Sequence, residues 1–124
     1  MAMIKRLDRL DVAASDLADA AEVYERNFGF GVRRAPGSDE AIVTVGGSEI
    51  RLRAGAAVAE MIAAAGEGLA ALWLEADDVQ RVAEAFDRAG LAHQPIRNEG
   101  ARRVLAIDPR AANMVPLFFF DRKV

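Results

Sequence analysis

The chain contains no cysteine and a single histidine, His93. The first absence excludes disulfides, thiolate metal sites, iron–sulfur clusters and cysteine nucleophiles. The second excludes any site that draws two imidazoles from one chain. An excess of positive charge is missing as well. Sixteen Lys and Arg stand against 19 Asp and Glu, for a net charge of −3 and a pI of 5.2. No global basic field is available for nucleic acid or an anionic membrane, and neither is expected as a partner. Long apolar runs are also absent: each is broken by Glu or Gly well short of the roughly 20 residues that span a bilayer. The opening Met1-Ala2-Met3-Ile4-Lys5-Arg6 reaches Asp8 with no apolar core behind its basic residues, so no targeting segment is read there. A cytoplasmic location is the resulting expectation. What is present is apolar substance, 52% of 124 residues, which rules out a disordered chain. A chain of this length buries roughly two-thirds of its unfolded surface and folds without staples.

Periodicity organises the chain. Ile4–Ala14 alternates with period two and reads as a strand. Asp16 follows as a helix N-cap, with Leu17, Ala20, Ala21, Tyr24 and Phe28 at helical spacing and Gly29 as the stop. Short strands are expected at Val32–Arg34, Ala41–Val45 and Glu49–Arg53, the last two joined by a Gly46-Gly47 turn. Ala56–Ala65 reads as a connecting helix ended by Gly66. The order then restarts. Leu69–Ala76 is an apolar strand, Asp77-Asp78 caps a helix carrying Val79, Val82, Ala83 and Phe86, and Gly90 ends it. Leu91–Arg97, Arg102–Ile107 and Met114–Phe120 read as strands, with turns at Asn98-Glu99-Gly100 and Asp108-Pro109. Pro116 cannot donate to a ladder, so the last strand starts late, lies at an edge or is bulged.

The two halves repeat. Asp16-Leu17 matches Asp78-Val79 and Tyr24 matches Phe86, both at an offset of 62, half the 124-residue chain. Each half reads strand–helix–strand–strand–strand. The expected fold is α+β, with two βαβββ modules forming one curved-sheet domain around a shared cavity over residues 1–124. Module 1 takes about 1–55, a linker helix about 56–67, and module 2 about 68–124.

Paired modules of this kind, with Leu7-Asp8, Ser15-Asp16-Leu17, Tyr24 and Phe28-Gly29 opening the first, resemble the vicinal oxygen chelate superfamily. That superfamily holds glyoxalase I, extradiol dioxygenases, bleomycin-resistance proteins and methylmalonyl-CoA epimerase. Val58-Ala59-Glu60-Met61-Ile62, Gly66-Glu67-Gly68-Leu69 and Leu74-Glu75-Ala76-Asp77-Asp78-Val79 look like the linker and second-module start of methylmalonyl-CoA epimerases. The resemblance implies a divalent metal held by two side chains per module, acting as a Lewis acid while a carboxylate moves a proton. The positions it assigns to those ligands fall on Arg9, Arg51, Ala71 and Phe118. Two guanidiniums, a methyl and a phenyl cannot hold a divalent cation, and arginine keeps its charge in proteins. No metal and no cofactor are therefore expected. The carboxylate would be Asp39 or Glu40, near the turn before the Ala41 strand.

Arg9 and Arg51 suggest an anion clamp, with Asp11 on the same face as Arg9 and partly neutralising it. The alternative is internal salt bridges: Arg9 with Asp11, Arg51 with Glu49 or Glu75. Trp73 and Phe118 are candidates to floor and wall a ligand pocket, or else core. Arg33-Arg34 and Arg102-Arg103 read as solvated strand edges that could also touch a coenzyme A phosphate, and His93 as a surface residue. The leading expectation is a superfamily member with its metal ligands replaced, binding a small organic anion or an acyl thioester as a homodimer. If it is an enzyme, an epimerase, isomerase or lyase is expected. A divergent metal-dependent enzyme and a non-catalytic structural or partner-binding module are the other readings. No catalytic residue is assigned.

Overall fold

A computed structural model of the chain describes residues 3–112 and 114–123. Its helices sit where the caps require. α1 (Leu17–Phe28) begins with the Asp16 carboxylate accepting the Asp19 N–H at 3.0 Å. α3 (Val79–Ala89) begins with Asp78 accepting the Gln80 N–H at 2.9 Å. Both end on a left-handed glycine, Gly29 at φ 69° and Gly90 at φ 72°, a conformation that costs a residue without Cβ almost nothing. α2 (Ala56–Ala65) is the connector. The repeat thus holds at the level of caps and stops.

The chain divides into two compact units. One is Arg9–Ala70. The other is the start of the chain to Asp8 together with Ala71 onward. The first unit holds β2 (Val32–Arg34), β3 (Glu40–Val45), β4 (Ser48–Arg53) and the second half of β1 (Ile4–Ala13), from Arg9 onward. Its strand order is β2-β3-β4-β1, antiparallel except that β1 runs parallel to β4. Side chains alternate across a strand. Val12, Ala41, Val43, Ile50 and Leu52 therefore share one face and pack on Leu17, Ala20, Ala21 and Tyr24 of α1. Val43 and Leu52 have no exposed surface, each worth about 1.5–3 kcal/mol of burial. Arg9, Asp11, Glu40, Glu49, Arg51 and Arg53 fall on the opposite face by the same register.

The second unit repeats the plan. β5 (Gly68–Ala76), β6 (Arg97–Glu99), β7 (Arg102–Ala106) and β8 (Leu117–Asp121) take the order β5-β8-β7-β6, with β5 parallel to β8. Ala76, Leu105 and Phe119 pack on Val79, Val82 and Ala83 of α3. The fold is α+β, of paired βαβββ modules, as the alternating caps and strands imply.

Three local expectations change. Leu91–Arg97 is not a strand: only a single bridge joins His93 to Ile107, and the ladder begins at Arg97. Pro95 removes an N–H from that stretch and fixes its φ. Asn98 and Glu99 are consequently in β6, and the turn moves to Gly100-Ala101. The Asp108-Pro109 turn extends into a short 3₁₀ helix, Pro109–Ala112. Met114 and Val115 lie outside β8, which starts after Pro116. No described helix is long and apolar enough to cross a membrane.

Candidate functional site

The face of β1, β3 and β4 turned away from α1 carries a chain of charges. It exists because each strand alternates, with apolar residues committed to the α1 side and charges to the other. Arg9 Nε lies 3.1 Å from Asp11 Oδ1, and the two side chains are 12% and 3% exposed. Asp11 stands opposite Arg51 in register, and its other oxygen is 3.9 Å from Arg53. Arg51 donates from Nε to Glu49 at 3.2 Å and lies 3.8 Å from Glu40. Arg53 lies 3.9 Å from Glu40 as well. Arg33 on β2 continues the row, 3.9 Å from Glu49. The inner end is tight and buried. The outer end is loose: Arg51 and Arg53 are 31% and 35% exposed, and most of their carboxylate contacts exceed hydrogen-bond length.

Glu40 opens β3 with Arg53 as its register partner, which puts it between two guanidiniums. Asp39 is turned elsewhere. Its carboxylate lies against Gly55, where a Cβ would meet Oδ2 at 2.5 Å. Gly55 holds φ 78° and ψ −163°, so glycine both fits the backbone and leaves room for that carboxylate. Of the two carboxylates expected near this turn, Glu40 is the one on the charged face.

Trp73 and Phe118 belong to the second unit. Trp73 stacks on Phe118 at 4.6 Å between centroids and meets Phe120 edge-on at 6.3 Å. With Ala71 and Val104 they form a cluster, and the Arg102 guanidinium lies 4.8 Å over the indole. Trp73 and Phe118 therefore touch each other, as Arg9 and Asp11 do. Glu75, considered above for Arg51, is engaged by Arg6 at 3.0 Å, with Lys5 and Arg122 nearby. Arg103 is not a solvated edge: it forks onto Asp121 and reaches Asp78. Sequence reasoning did not single out Arg53, although the alternation of β4 places it on the face of Arg51.

The two modules correspond strand by strand. Asp11 faces Arg51 across β1 and β4, and Trp73 faces Phe118 across β5 and β8. Arg51 and Phe118 thus occupy equivalent points. Neither has a donor for a divalent cation, nor do Arg9 and Ala71. Among the described residues no group of three or more His, Cys, Asp or Glu is placed to hold a metal ion. The residues present do not fit the ion that the resemblance implies.

Comparison with known proteins agrees with the architecture. The sequence model of the Glyoxalase/Bleomycin resistance protein/Dioxygenase superfamily matches residues 6–120. No curated protein matches the sequence. Among solved structures, methylmalonyl-CoA epimerase from Mycobacterium tuberculosis is similar at TM-score 0.76 and 20% identity, covering 100% of this chain and 92% of that one. A Streptomyces coelicolor methylmalonyl-CoA epimerase variant in complex with 2-nitronate-propionyl-CoA is similar at TM-score 0.72 and 20% identity, covering 98% and 96%. A hypothetical protein from Bacillus halodurans C-125 reaches 0.73 at 20% identity, covering 96% and 95%. At such identities the likeness is one of fold.

Proposed function

The chain belongs to the Glyoxalase/Bleomycin resistance protein/Dioxygenase superfamily, and from that premise we propose that it binds a small organic anion or acyl thioester on the charged face of its first module, without a divalent metal. The observation that carries this reading is the half-exposed pair Arg51 and Arg53, aligned on one face with loosely held carboxylates. Exposed ion pairs contribute only about 0.2–1 kcal/mol. A ligand carboxylate that met a guanidinium in the bidentate geometry would gain about 1.5–3 kcal/mol. Exchange of partners at Arg51 and Arg53 is therefore favourable. Arg9 is different: separating it from buried Asp11 would cost about 3–5 kcal/mol, so that pair supports the site rather than opening to ligand. Should a bound thioester be turned over, Glu40 is the carboxylate at hand to move a proton, as an epimerase or lyase would require.

The test is thermal shift with succinate, malonate and a short acyl thioester, on wild type and on Arg51→Ala and Arg53→Ala. Stabilisation of the wild type is expected, with affinity falling about 10- to 100-fold in either variant. If no anion stabilises the wild type, or the variants respond equally, the arginines serve a closed salt-bridge network instead. The run of contacts from Arg9 to Arg33 favours that second reading. Stoichiometric zinc, cobalt, nickel or manganese in untagged protein would overturn the metal-free part.

A further inference from the structure

A cleft of about 550 Å³ lies within the Arg9–Ala70 unit, where the end of β1 meets α1. α1 offers it one stripe, Asp16, Asp19, Ala20, Val23 and Tyr24, at the three- and four-residue spacing that keeps side chains on one face. The floor is apolar. Val12, Ala20 and Tyr24 pack on the core beneath α1, away from the charged face of the sheet. Val23 is 46% exposed, and Phe28 and Phe30 extend the Tyr24 wall at 5.9 and 6.5 Å between ring centroids. Three carboxylates rim this floor. Asp16 accepts the Asp19 N–H through Oδ1. Glu67 reaches over from the turn between α2 and β5 and accepts the Ser15 N–H through Oε1 at 2.7 Å. Their other oxygens, and the Asp19 carboxylate, meet no Lys, Arg or His among the described residues. Asp11, Glu40 and Glu49 of the same module, by contrast, each contact arginine.

We infer that this cleft binds an amphiphilic organic cation, a primary ammonium carried on a short apolar or aromatic body. Charge complementarity selects the occupant. The N-terminus of α1 supplies about half a positive charge, and three carboxylates outnumber it. A metal ion does not suit the rim, because among the described residues no group of three or more His, Cys, Asp or Glu is placed to hold one. An ammonium donates three hydrogen bonds and can engage the open carboxylate oxygens, while its carbon body covers Val12, Ala20 and Val23. Tyr24 adds an aromatic wall, suited to the body and to the charge. A neutral apolar ligand would desolvate the carboxylates without giving them a partner. A small hydrated cation would leave the floor uncovered. Both parts of the ligand are thus specified. The cleft is separate from Arg51 and Arg53, so the inference stands independently of the anion-binding reading.

The experiment compares three probes by thermal shift and calorimetry: 2-phenylethylammonium, its neutral counterpart 2-phenylethanol, and methylammonium, which has the charge without the body. Each is run on wild type, on Asp19→Asn/Glu67→Gln and on Ala20→Leu. The amide introduced by Glu67→Gln still accepts the Ser15 N–H and Asp16 keeps its cap, so the double variant removes charge and little else. Ala20→Leu keeps every charge, suits a helix and fills the floor. Circular dichroism checks that both variants fold. The expected result is that 2-phenylethylammonium binds wild type about 10-fold more tightly than either other probe, and that each variant loses that gain. Should Ala20→Leu fail to fold, the double variant alone decides. Binding of 2-phenylethanol as tight as that of the ammonium overturns the inference, because the carboxylates would then contribute nothing. Methylammonium binding equally well also overturns it, as does a double variant that binds like wild type. If no probe binds wild type, the inference falls and the anion-binding reading is untouched.

Discussion

Asp121 shows how firmly the second module is pinned, and its replacement by asparagine has a calculable effect. The side chain is 1% exposed at the end of β8. Oδ2 accepts the Val79 N–H at 2.8 Å and Arg103 Nη2 at 2.6 Å, while Oδ1 accepts Arg103 Nε at 2.9 Å and the Lys123 N–H at 3.1 Å. One carboxylate thus joins β8, β7 and the first turn of α3. Burial, the largest single influence, pushes the carboxyl up. The Arg103 hydrogen bonds, the two backbone N–H groups and the Arg103 charge together outweigh it and hold the group below its ordinary 3.8. A depressed native pKa means the stabilisation is present above the unfolded value and lost as pH falls through the native one. Asp121→Asn keeps the shape, removes the charge and turns an NH₂ toward a donor. Breaking a fully buried pair costs about 3–5 kcal/mol. Arg103 is 22% exposed, so water recovers part of that, and about 2–3 kcal/mol remains. For a chain of this size the melting temperature should fall by about 10 °C at pH 7. Urea and thermal unfolding from pH 7 down to 3 are the assay. The gap between variant and wild type should narrow below about pH 4. As a control, Glu22→Gln in the exposed Glu22–Arg26 pair should cost no more than about 0.5 kcal/mol. An Asp121→Asn variant within about 0.5 kcal/mol of wild type, or a gap unchanged in acid, refutes the reasoning.

His93 carries the pH response at the opposite end of the range. Nδ1 is 2.8 Å from the Gln94 carbonyl and Nε2 2.8 Å from Asp87 Oδ1, so both nitrogens face acceptors and the imidazolium satisfies both. The Gln94 hydrogen bond first, then Asp87, raises its pKa above 6.5. Its contribution is therefore complete below 6.5 and lost as pH rises through the native value. As the chain's single histidine it gives one Hε1 resonance: the titration midpoint should lie above 6.5 and drop in Asp87→Asn, and a midpoint at or below 6.5 refutes the assignment. We also propose a C2 homodimer, the commonest closed symmetry; light scattering at tens of micromolar should return twice 13.3 kDa, and a monomer mass excludes it.

What the sequence made legible is what local chemistry controls. Asp16, Asp78, Gly29 and Gly90 bracket both helices because capping involves neighbours within a turn. The Arg9–Asp11 and Arg51–Glu49 contacts were legible for a similar reason: residues two apart on a strand share a face. Arg103 was misread because its partners Asp121 and Asp78 are 18 and 25 residues away, and only the β7–β8 register brings Asp121 to it. Glu40 could be named but not oriented, since the choice between it and Asp39 depends on where β3 begins. Leu91–Arg97 is not a strand because Pro95 interrupts the ladder, a signal the sequence does carry beside the apolar pattern.

The division of labour between sheet faces ties these observations together. In each module the helix-facing side carries the stability: Val43 and Leu52 under α1, Leu105 and Phe119 under α3. The other face differs between the modules: a charged row in the first, a buried cluster of Trp73, Val104 and Phe120 in the second, so equivalent points there diverge. Arg51 in one module and Phe118 in the other are such a pair. The same divergence separates the two kinds of arginine. Arg103 grips a buried carboxylate on the helix-facing side, and its loss should lower stability and leave anion binding intact. Arg51 and Arg53 hold the half-exposed Glu40 on the opposite face of the first module, and their loss should weaken anion binding at little cost to stability. Unfolding and ligand titration of Arg51→Ala and Arg103→Met side by side separate the two. An Arg51→Ala variant that loses as much stability as Arg103→Met would mean that the charged face is structural after all.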